Sequence, residues 1–456
     1  MKVVVLNGSP KGDVSVTMQY IAYVKKKFPG NTYEILNVAA EIKKTEADAA
    51  RKDALIGSIK SADLVIWAFP LYFLLVSSQY KRFIELIFGM KEKEVFSGKY
   101  AISISTSINF FDQTAHAYIR GISDDLGMNY LGAYSAEMRD LLNVAERKRL
   151  ETFASIIFSA VDGKIPVQRE SAPVIASEFT YVPGTDPIPL DTGAKKIVIL
   201  TDDDGRSANL TAMVQRLQKR FSGSAEVVNL HNLDIRGGCL GCCQCAFDNT
   251  CVYTDGYVDF YRNTLLASDI IILAGSVRDR YLSWTWKQFF DRSFFKGHTP
   301  GLSGKQVGFA ISGPASQIPT LKEALSAWAD NGSCNAYFVT DEPKESGNLD
   351  ALLDAFAGRL LMASDMGYIP PHTFYAVGGH KIFRDAIYSG MRFVFQADYQ
   401  YYRDHRMFDF PQSDLKTRCM NAVFIPLTKI PKFRKKMFND LKHHMIRPFE
   451  KVLKTV

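Results

Sequence analysis

The sequence predicts an α/β protein in which one doubly wound, parallel-sheet fold is used twice and a helical extension follows. Three observations carry this reading. Apolar, β-branched runs such as KVVVL, LVIWAF and IIILAG alternate with helical patterns such as VTMQYIAYVKKKF. Near-continuous apolar strands separated by helices are the pattern of a parallel sheet covered on both faces. The chain also repeats itself: KVVVLNGSP (2–10) resembles KIVILTDDD (196–204), 194 positions on. SADLVIWAFPLYF (61–73) and SGKYAISIS (97–105) resemble ASDIIILAGSVRD (267–279) and SGKQVGFAIS (303–312), both 206 positions on. The offset grows by 12 across an interval that contains a cysteine-rich stretch, so the second copy reads as the first expanded at that point.

A chain of 456 residues is too long for one ordinary core. The expected division is a first copy over residues 1–162, a linker over 163–194, a second copy over 195–368 and a helical extension over 369–456. The linker holds five prolines and little periodicity, which suits an extended segment. With 47% hydrophobic and 23% charged residues the composition is that of a soluble globular protein. The longest near-continuous apolar run, LVIWAFPLYFLLV (64–76), is too short to span a bilayer and contains a proline. The N-terminus opens on a strand-like run without a basic leader, so a cytoplasmic location is expected. Of the formal charge of +7, residues 411–456 alone supply eleven Lys/Arg against three Asp/Glu. The body is therefore near neutral, and a general nucleic-acid-binding surface is not expected.

In the first copy, KVVVL runs into Asn7-Gly8-Ser9-Pro10-Lys11-Gly12-Asp13-Val14-Ser15-Val16-Thr17 and then a helix. Backbone N–H groups, a helix dipole, hydroxyls and one lysine there converge on one point, as phosphate binding requires. The plain alternative is a strand–helix turn capped by Ser15 or Thr17. This loop, followed by PLYFLLVSSQYKRFIEL (70–86), resembles the flavodoxin-like NAD(P)H-dependent FMN reductases and their relatives, the iron–sulfur flavoproteins. The resemblance implies FMN phosphate contacts from Ser9, Lys11, Ser15, Val16 and Thr17. It implies contacts to the flavin ring from Pro70, Leu71, Tyr72 and Phe73, with Thr106, Ser107 and Asn109 of a third loop completing the ring site. These positions follow the carboxyl ends of strands, where open α/β sheets bind ligands.

The second copy departs from this pattern. Its first loop is Thr201-Asp202-Asp203-Asp204-Gly205-Arg206-Ser207, and its counterpart of Pro-x-Tyr is Ser276-Val277-Arg278. A phosphate dianion about 4 Å from even one carboxylate is opposed by roughly 8 kcal/mol at an effective dielectric near 20. The second copy is expected to hold no flavin.

Five of the seven cysteines lie in CLGCCQCAFDNTC (239–251). A disulfide staple, a zinc knuckle and an iron–sulfur cluster are the three uses open to them. A reducing compartment disfavours the first. Structural zinc usually pairs two C-x2-4-C knuckles across a longer loop, whereas Cys239, Cys242, Cys245 and Cys251 form C-x2-C-x2-C-x5-C. Three cysteines at intervals of three wrap one turn of chain around several irons, as in bacterial ferredoxins. The motif also resembles the compact one of the iron–sulfur flavoproteins, which implies a [4Fe–4S] cluster on these four, with zinc as the alternative. Cys243 is read as a spare buried thiol facing away from them.

The expected function is that of an FMN-dependent oxidoreductase coupling two-electron chemistry, with NAD(P)H or a substrate, to one-electron transfer through the cluster. Electrons would come from NAD(P)H or a ferredoxin and pass to a small-molecule acceptor; no catalytic acid or base is singled out. Two alternatives stand beside it. One is an NAD(P)H-dependent FMN reductase of quinone, nitro or unsaturated compounds with a zinc or empty cysteine site; the other is a non-catalytic redox sensor or scaffold. Domains of this family associate, so a homo-oligomer is among the expected states. In PKFRKKMFNDLKHHMIRPFEK (431–451), Phe433, Met437, Leu441 and Met445 recur every four residues among basic ones. This stripe is read first as docking on the protein's own core, and second as contacting an anionic membrane surface. His116 is read as a satisfied loop histidine, and Trp284 and Trp286 as core or interface aromatics.

Overall fold

The computed structural model describes residues 1–410 and 414–440. The first copy runs β1 Lys2–Asn7, α1 Val16–Lys27, β2 Thr32–Leu36, α2 Ile42–Ala47, α3 Ala49–Lys60 and β3 Leu64–Pro70. It continues with α4 Ser78–Gly89, β4 Tyr100–Ser107, α5 Asp112–Asp125, β5 Asn129–Glu137 and α6 Val144–Asp162. The second copy runs β6 Ile197–Thr201, α7 Ala208–Arg220, β7 Glu226–Asn229, α8 Tyr257–Phe260, β8 Ile270–Ser276 and α9 Trp284–Arg292. It ends with β9 Gln306–Ser312, α10 Pro319–Asn331, β10 Asn335–Thr340 and α11 Ser346–Asp365, and the extension adds α12 Phe374–Tyr388, α13 Gln396–Asp404 and α14 Leu415–Thr428.

Both sheets have five strands and one order, β2-β1-β3-β4-β5 and, in sequence-equivalent strands, β7-β6-β8-β9-β10. Every pairing between neighbouring strands is parallel. The fold is flavodoxin-like, twice over, with a helical C-terminal region. The central strands are apolar throughout because both faces are covered: Val3, Val4, Val5 and Leu6 of β1 are fully buried, as are Ile271, Ile272 and Leu273 of β8.

Buried apolar residues form three clusters. One fills the outer face of the first sheet and one the outer face of the second. The largest runs through both copies, joining Trp67, Phe69 and Tyr80 to Leu200, Leu273 and Trp286. α4 and α9 meet within it. They occupy equivalent positions, 206 residues apart, and exchange equivalent bonds. Ser77 Oγ accepts from Tyr80 N–H (3.3 Å) and Ser283 Oγ from Trp286 N–H (3.4 Å), capping the two helices. The remaining first-turn donors are satisfied by the opposite helix: Ser78 N–H donates to Asp291 (2.6 Å), and Trp284 N–H to Glu85 (2.5 Å). Each carboxylate is also held by a fully buried lysine one turn before it, Lys81 with Glu85 (3.0 Å) and Lys287 with Asp291. The pairs thus obey an approximate twofold relation. Trp286 is buried there, and Trp284 carries the Arg82 guanidinium 4.2 Å above its ring.

Residues 163–194 contain no helix or strand. Tyr181 nevertheless joins the core of the second copy, donating its hydroxyl to Asp350 (2.5 Å). By contacts the chain divides into residues 1–399 and 400–456. In the second unit α14 is followed by helical residues 431–440, where Phe433 and Met437 are half-buried and the intervening basic residues exposed. Leu441, His443, His444 and Met445 lie outside the described residues. No helix among the described residues is long and apolar enough to cross a membrane.

Candidate functional site

The loop after β1 is shaped by its own side chains. Asn7 Oδ1 accepts from Ser9 N–H (3.0 Å), and Ser9 Oγ accepts from Lys11 N–H (3.2 Å). Ser15 caps α1 through Met18 N–H (3.3 Å). Gly8 has no alternative, since a Cβ there would lie 2.5 Å from the Tyr80 ring beneath it. Ser77 Oγ donates to Gly8 O (3.0 Å), tying the loop to the start of α4.

This loop forms one side of an open cavity of ≈ 1150 Å³. Ser9, Lys11, Ser15 and Val16 line it, together with Pro70, Leu71, Tyr72 and Phe73 after β3, and Thr106 and Ser107 at the end of β4. The ends of three parallel strands therefore bring ten of the twelve sequence-expected cofactor residues to one wall. Thr17 is buried behind it, its hydroxyl bonded to that of Thr106 (2.7 Å). Asn109 is exposed, with its neighbours Ile108 and Phe110 on the wall instead. The loops after β3 and β4 hold left-handed backbone at Leu74 (φ 60°), Asn109 (φ 58°) and Phe111 (φ 66°). Such conformations are uncommon outside glycine and need surrounding structure to enforce them.

Sequence reasoning missed the roof. Phe383, Ile387, Met391 and Phe395 of the extension line the cavity, with Phe294 and His298 of the second copy. His298 is buried, shares Nδ1 with Asp398 (2.9 Å) and packs against Phe383 (4.2 Å between rings). The four extension residues recur every four positions, so a stripe was present in the sequence. Nothing local says which surface it covers.

The equivalent loop of the second copy borders a separate polar cavity, and its three aspartates have partners nearby. Arg278, at the position of Tyr72, pairs with Asp204 (2.7 Å), which also meets Arg206 (3.3 Å). Asp203 accepts from the Thr211 hydroxyl (2.5 Å), and the buried Asp202 accepts from Ser283. Burial pushes the Asp202 carboxyl above its ordinary range, while Arg278 contributes to holding Asp204 below it.

The cysteine segment of the second copy lies against the first copy. Tyr72 Oη donates to Leu240 O (3.3 Å), and Gln79 Nε2 donates to Cys239 O (3.2 Å). Gly241 (φ 63°) lies so close under the Tyr72 hydroxyl that no side chain fits. Cys239, Cys242, Cys245 and Cys251 line one small pocket. Cys243 lines it too, and, contrary to the expectation that it faces away, also lines the larger cavity beside Cys239. Its backbone is left-handed (φ 58°). All seven cysteines are free thiols.

Burial pushes the Cys239 thiol up to about 12, with Asp291 adding to the shift, and does the same for Cys245, with Cys239 and Cys251 adding. Thiolates gathered here therefore need a cation to compensate them. Among the described residues no three His, Cys, Asp or Glu side chains converge as a single metal ion would require. A tetrahedral zinc needs every sulfur about 2.3 Å from one point. A cluster of several irons meets each sulfur at a different atom, and so accepts sulfurs set around a pocket.

His116 has both ring nitrogens occupied, Nδ1 with Ser103 Oγ (2.7 Å) and Nε2 with Ser105 Oγ (2.8 Å). It sits on α5 rather than in a loop, away from the cavity wall.

Residues 1–154 match the family model of the flavodoxin-like fold. No curated protein matches the chain. Solved structures similar to it include an FMN-dependent NADH-azoreductase from Bacillus anthracis, at 16% identity over 34% of this chain and 98% of that one, TM-score 0.27. Another is FerB, a flavoenzyme NAD(P)H:(acceptor) oxidoreductase from Paracoccus denitrificans, at 19% identity over 36% and 97%, TM-score 0.28. A putative quinone reductase from Klebsiella pneumoniae is 14% identical over 37% and 86%, TM-score 0.26.

Proposed function

We propose that the chain is an FMN-dependent oxidoreductase that also carries a [4Fe–4S] cluster, with the flavin on the first copy and the cluster on the second. The observation that carries this reading is the shared wall. Tyr72, assigned to the flavin ring, bonds to the backbone of the cysteine loop, and Cys239 and Cys243 line the flavin cavity.

In this reading the Ser9 hydroxyl, the backbone N–H groups of Ser15, Val16 and Thr17 and the Lys11 ammonium hold the FMN phosphate. Thr17 takes part through its N–H, its hydroxyl being committed to Thr106. Pro70, Leu71, Tyr72 and Phe73 lie along the ring, Thr106 and Ser107 meet its edge, and Asn109 shapes the loop. Cys239, Cys242, Cys245 and Cys251 ligate the cluster. A bound flavin exchanges electrons in pairs or singly, whereas a cluster passes them one at a time, so neighbouring sites suit the coupling of a two-electron partner such as NAD(P)H to a one-electron partner such as a ferredoxin. The roof excludes water from the ring and leaves room for a small apolar acceptor. A reducing, cytoplasmic setting fits thiols kept as ligands.

The apolar roof favours one further reading, a direct reductase of quinone, nitro or unsaturated compounds with a zinc or empty cysteine site. Metal and flavin analysis of protein purified without oxygen separates the two. Iron and acid-labile sulfide in equal amounts, with about one FMN per chain and broad absorbance near 400 nm beneath the flavin bands, is the expected result. Zinc or no metal, with flavin alone, supports the direct reductase. Absence of flavin overturns both.

A further inference from the structure

Arg292, the last residue of α9, lines the cysteine pocket with its side chain 1% exposed. Its two terminal nitrogens are committed. They fork onto Asp255 (2.7 and 2.8 Å), and Nη1 also donates to Gly237 O (3.0 Å). The guanidinium carbon lies 4.4 Å from the ring centre of Tyr253 and 5.0 Å from that of Tyr257, which fixes its plane. The third nitrogen, Nε, is buried and has no hydrogen-bond partner among the described residues. A buried donor on a charged group left unsatisfied is costly, and native structures usually supply a partner.

We infer that Arg292 Nε–H donates a hydrogen bond to a sulfur of the metal–sulfur group held by Cys239, Cys242, Cys245 and Cys251, and thereby sets its reduction potential. The inference rests on the cluster reading above. Adding an electron to a buried, thiolate-ligated cluster increases its negative charge, and a donor at sulfur stabilises the reduced form more than the oxidised one. Hydrogen bonds to the sulfurs are among the principal determinants of cluster potentials. Asp255 balances the guanidinium charge, so the contribution is that of a directed donor. Arg292 is a positioning and tuning residue, with no part in proton or electron transfer of its own.

Two measurements test this. In full-length protein labelled with 15N-arginine, the reduced cluster should show a 15N hyperfine coupling, whereas an unlabelled control should not. Arg292→Lys keeps a cation beside Asp255 and removes Nε. It should retain iron, sulfide and FMN, but its cluster should be at least tenfold harder to reduce, a fall of 59 mV for a one-electron couple. An iron-loaded variant at an unchanged potential, or labelled wild-type protein without the coupling, overturns the role of Arg292 and leaves the cluster intact. If the variant does not accumulate, the labelled wild-type spectrum decides. Protein purified without iron and sulfide overturns the cluster reading itself, and this inference with it.

Discussion

Gly8 and His116 show how single residues in the first copy serve different ends. Gly8 is fixed by the ring of Tyr80, so Gly8→Ala forces either the loop or the ring to move. The variant should bind FMN at least tenfold more weakly and melt at a lower temperature, read by fluorescence titration and thermal unfolding. His116 is structural. Burial holds its imidazole down at about 4, against about 6.5 when unfolded. The folded chain therefore keeps it neutral while the unfolded chain takes up a proton, so stability is lost as pH falls from about 6.5 to about 4, in total by about 3 kcal/mol. Denaturant unfolding between those pH values should show this acid loss, and His116→Gln should flatten it. The loop after β1 was legible as a candidate anion site because its hydroxyls, lysine and glycine are local in sequence. The histidine was read as satisfied, but in a loop and without named partners, because Ser103 and Ser105 sit on a different element.

At the scale of elements, α4 and α9 explain why two copies became one body. Each supplies a carboxylate that satisfies the first turn of the other and a buried lysine that neutralises that carboxylate. Asp291→Ala would leave Lys287 buried without its counter-charge and Ser78 N–H without an acceptor. It should destabilise the protein by about 3–5 kcal/mol in denaturant unfolding. Lys287→Met combined with Asp291→Leu should cost less, because neither charge remains. The repeat offset showed that the two helices are equivalent, but not that they face each other. Contact between them depends on which sheet face each copy leaves uncovered, which no local pattern records.

For the whole molecule, one cavity joins loops of the first copy, cysteines of the second and the aromatic stripe of the extension. Its counterpart in the second copy is a separate polar cavity, lined by Asp204, Arg206 and Arg278 with Glu46 and Glu85, whose carboxylates oppose a phosphate. FMN should therefore saturate at about one per chain, and Lys11→Glu should abolish binding, while Arg206→Glu, at the equivalent loop, should leave it unchanged in equilibrium dialysis. Phe383→Ala should open the roof. Iodide should then quench the bound flavin more strongly and the KM for an organic acceptor should rise, with FMN content retained.

The order of residues by itself determined the doubled parallel-sheet fold, the loop suited to an anion, the loss of that loop in the second copy and the clustering of the thiols. Each is written in short-range periodicity, spacing or charge, and such patterns survive without knowledge of distant contacts. Only the tertiary structure decided that Tyr72 reaches Leu240, that Cys243 lines the cavity, that Arg292 lines the cysteine pocket with one buried nitrogen unpartnered and that residues 383–395 form the roof. These are meetings between segments separated by many residues, and they are settled by which apolar faces remain to be buried once each sheet has formed.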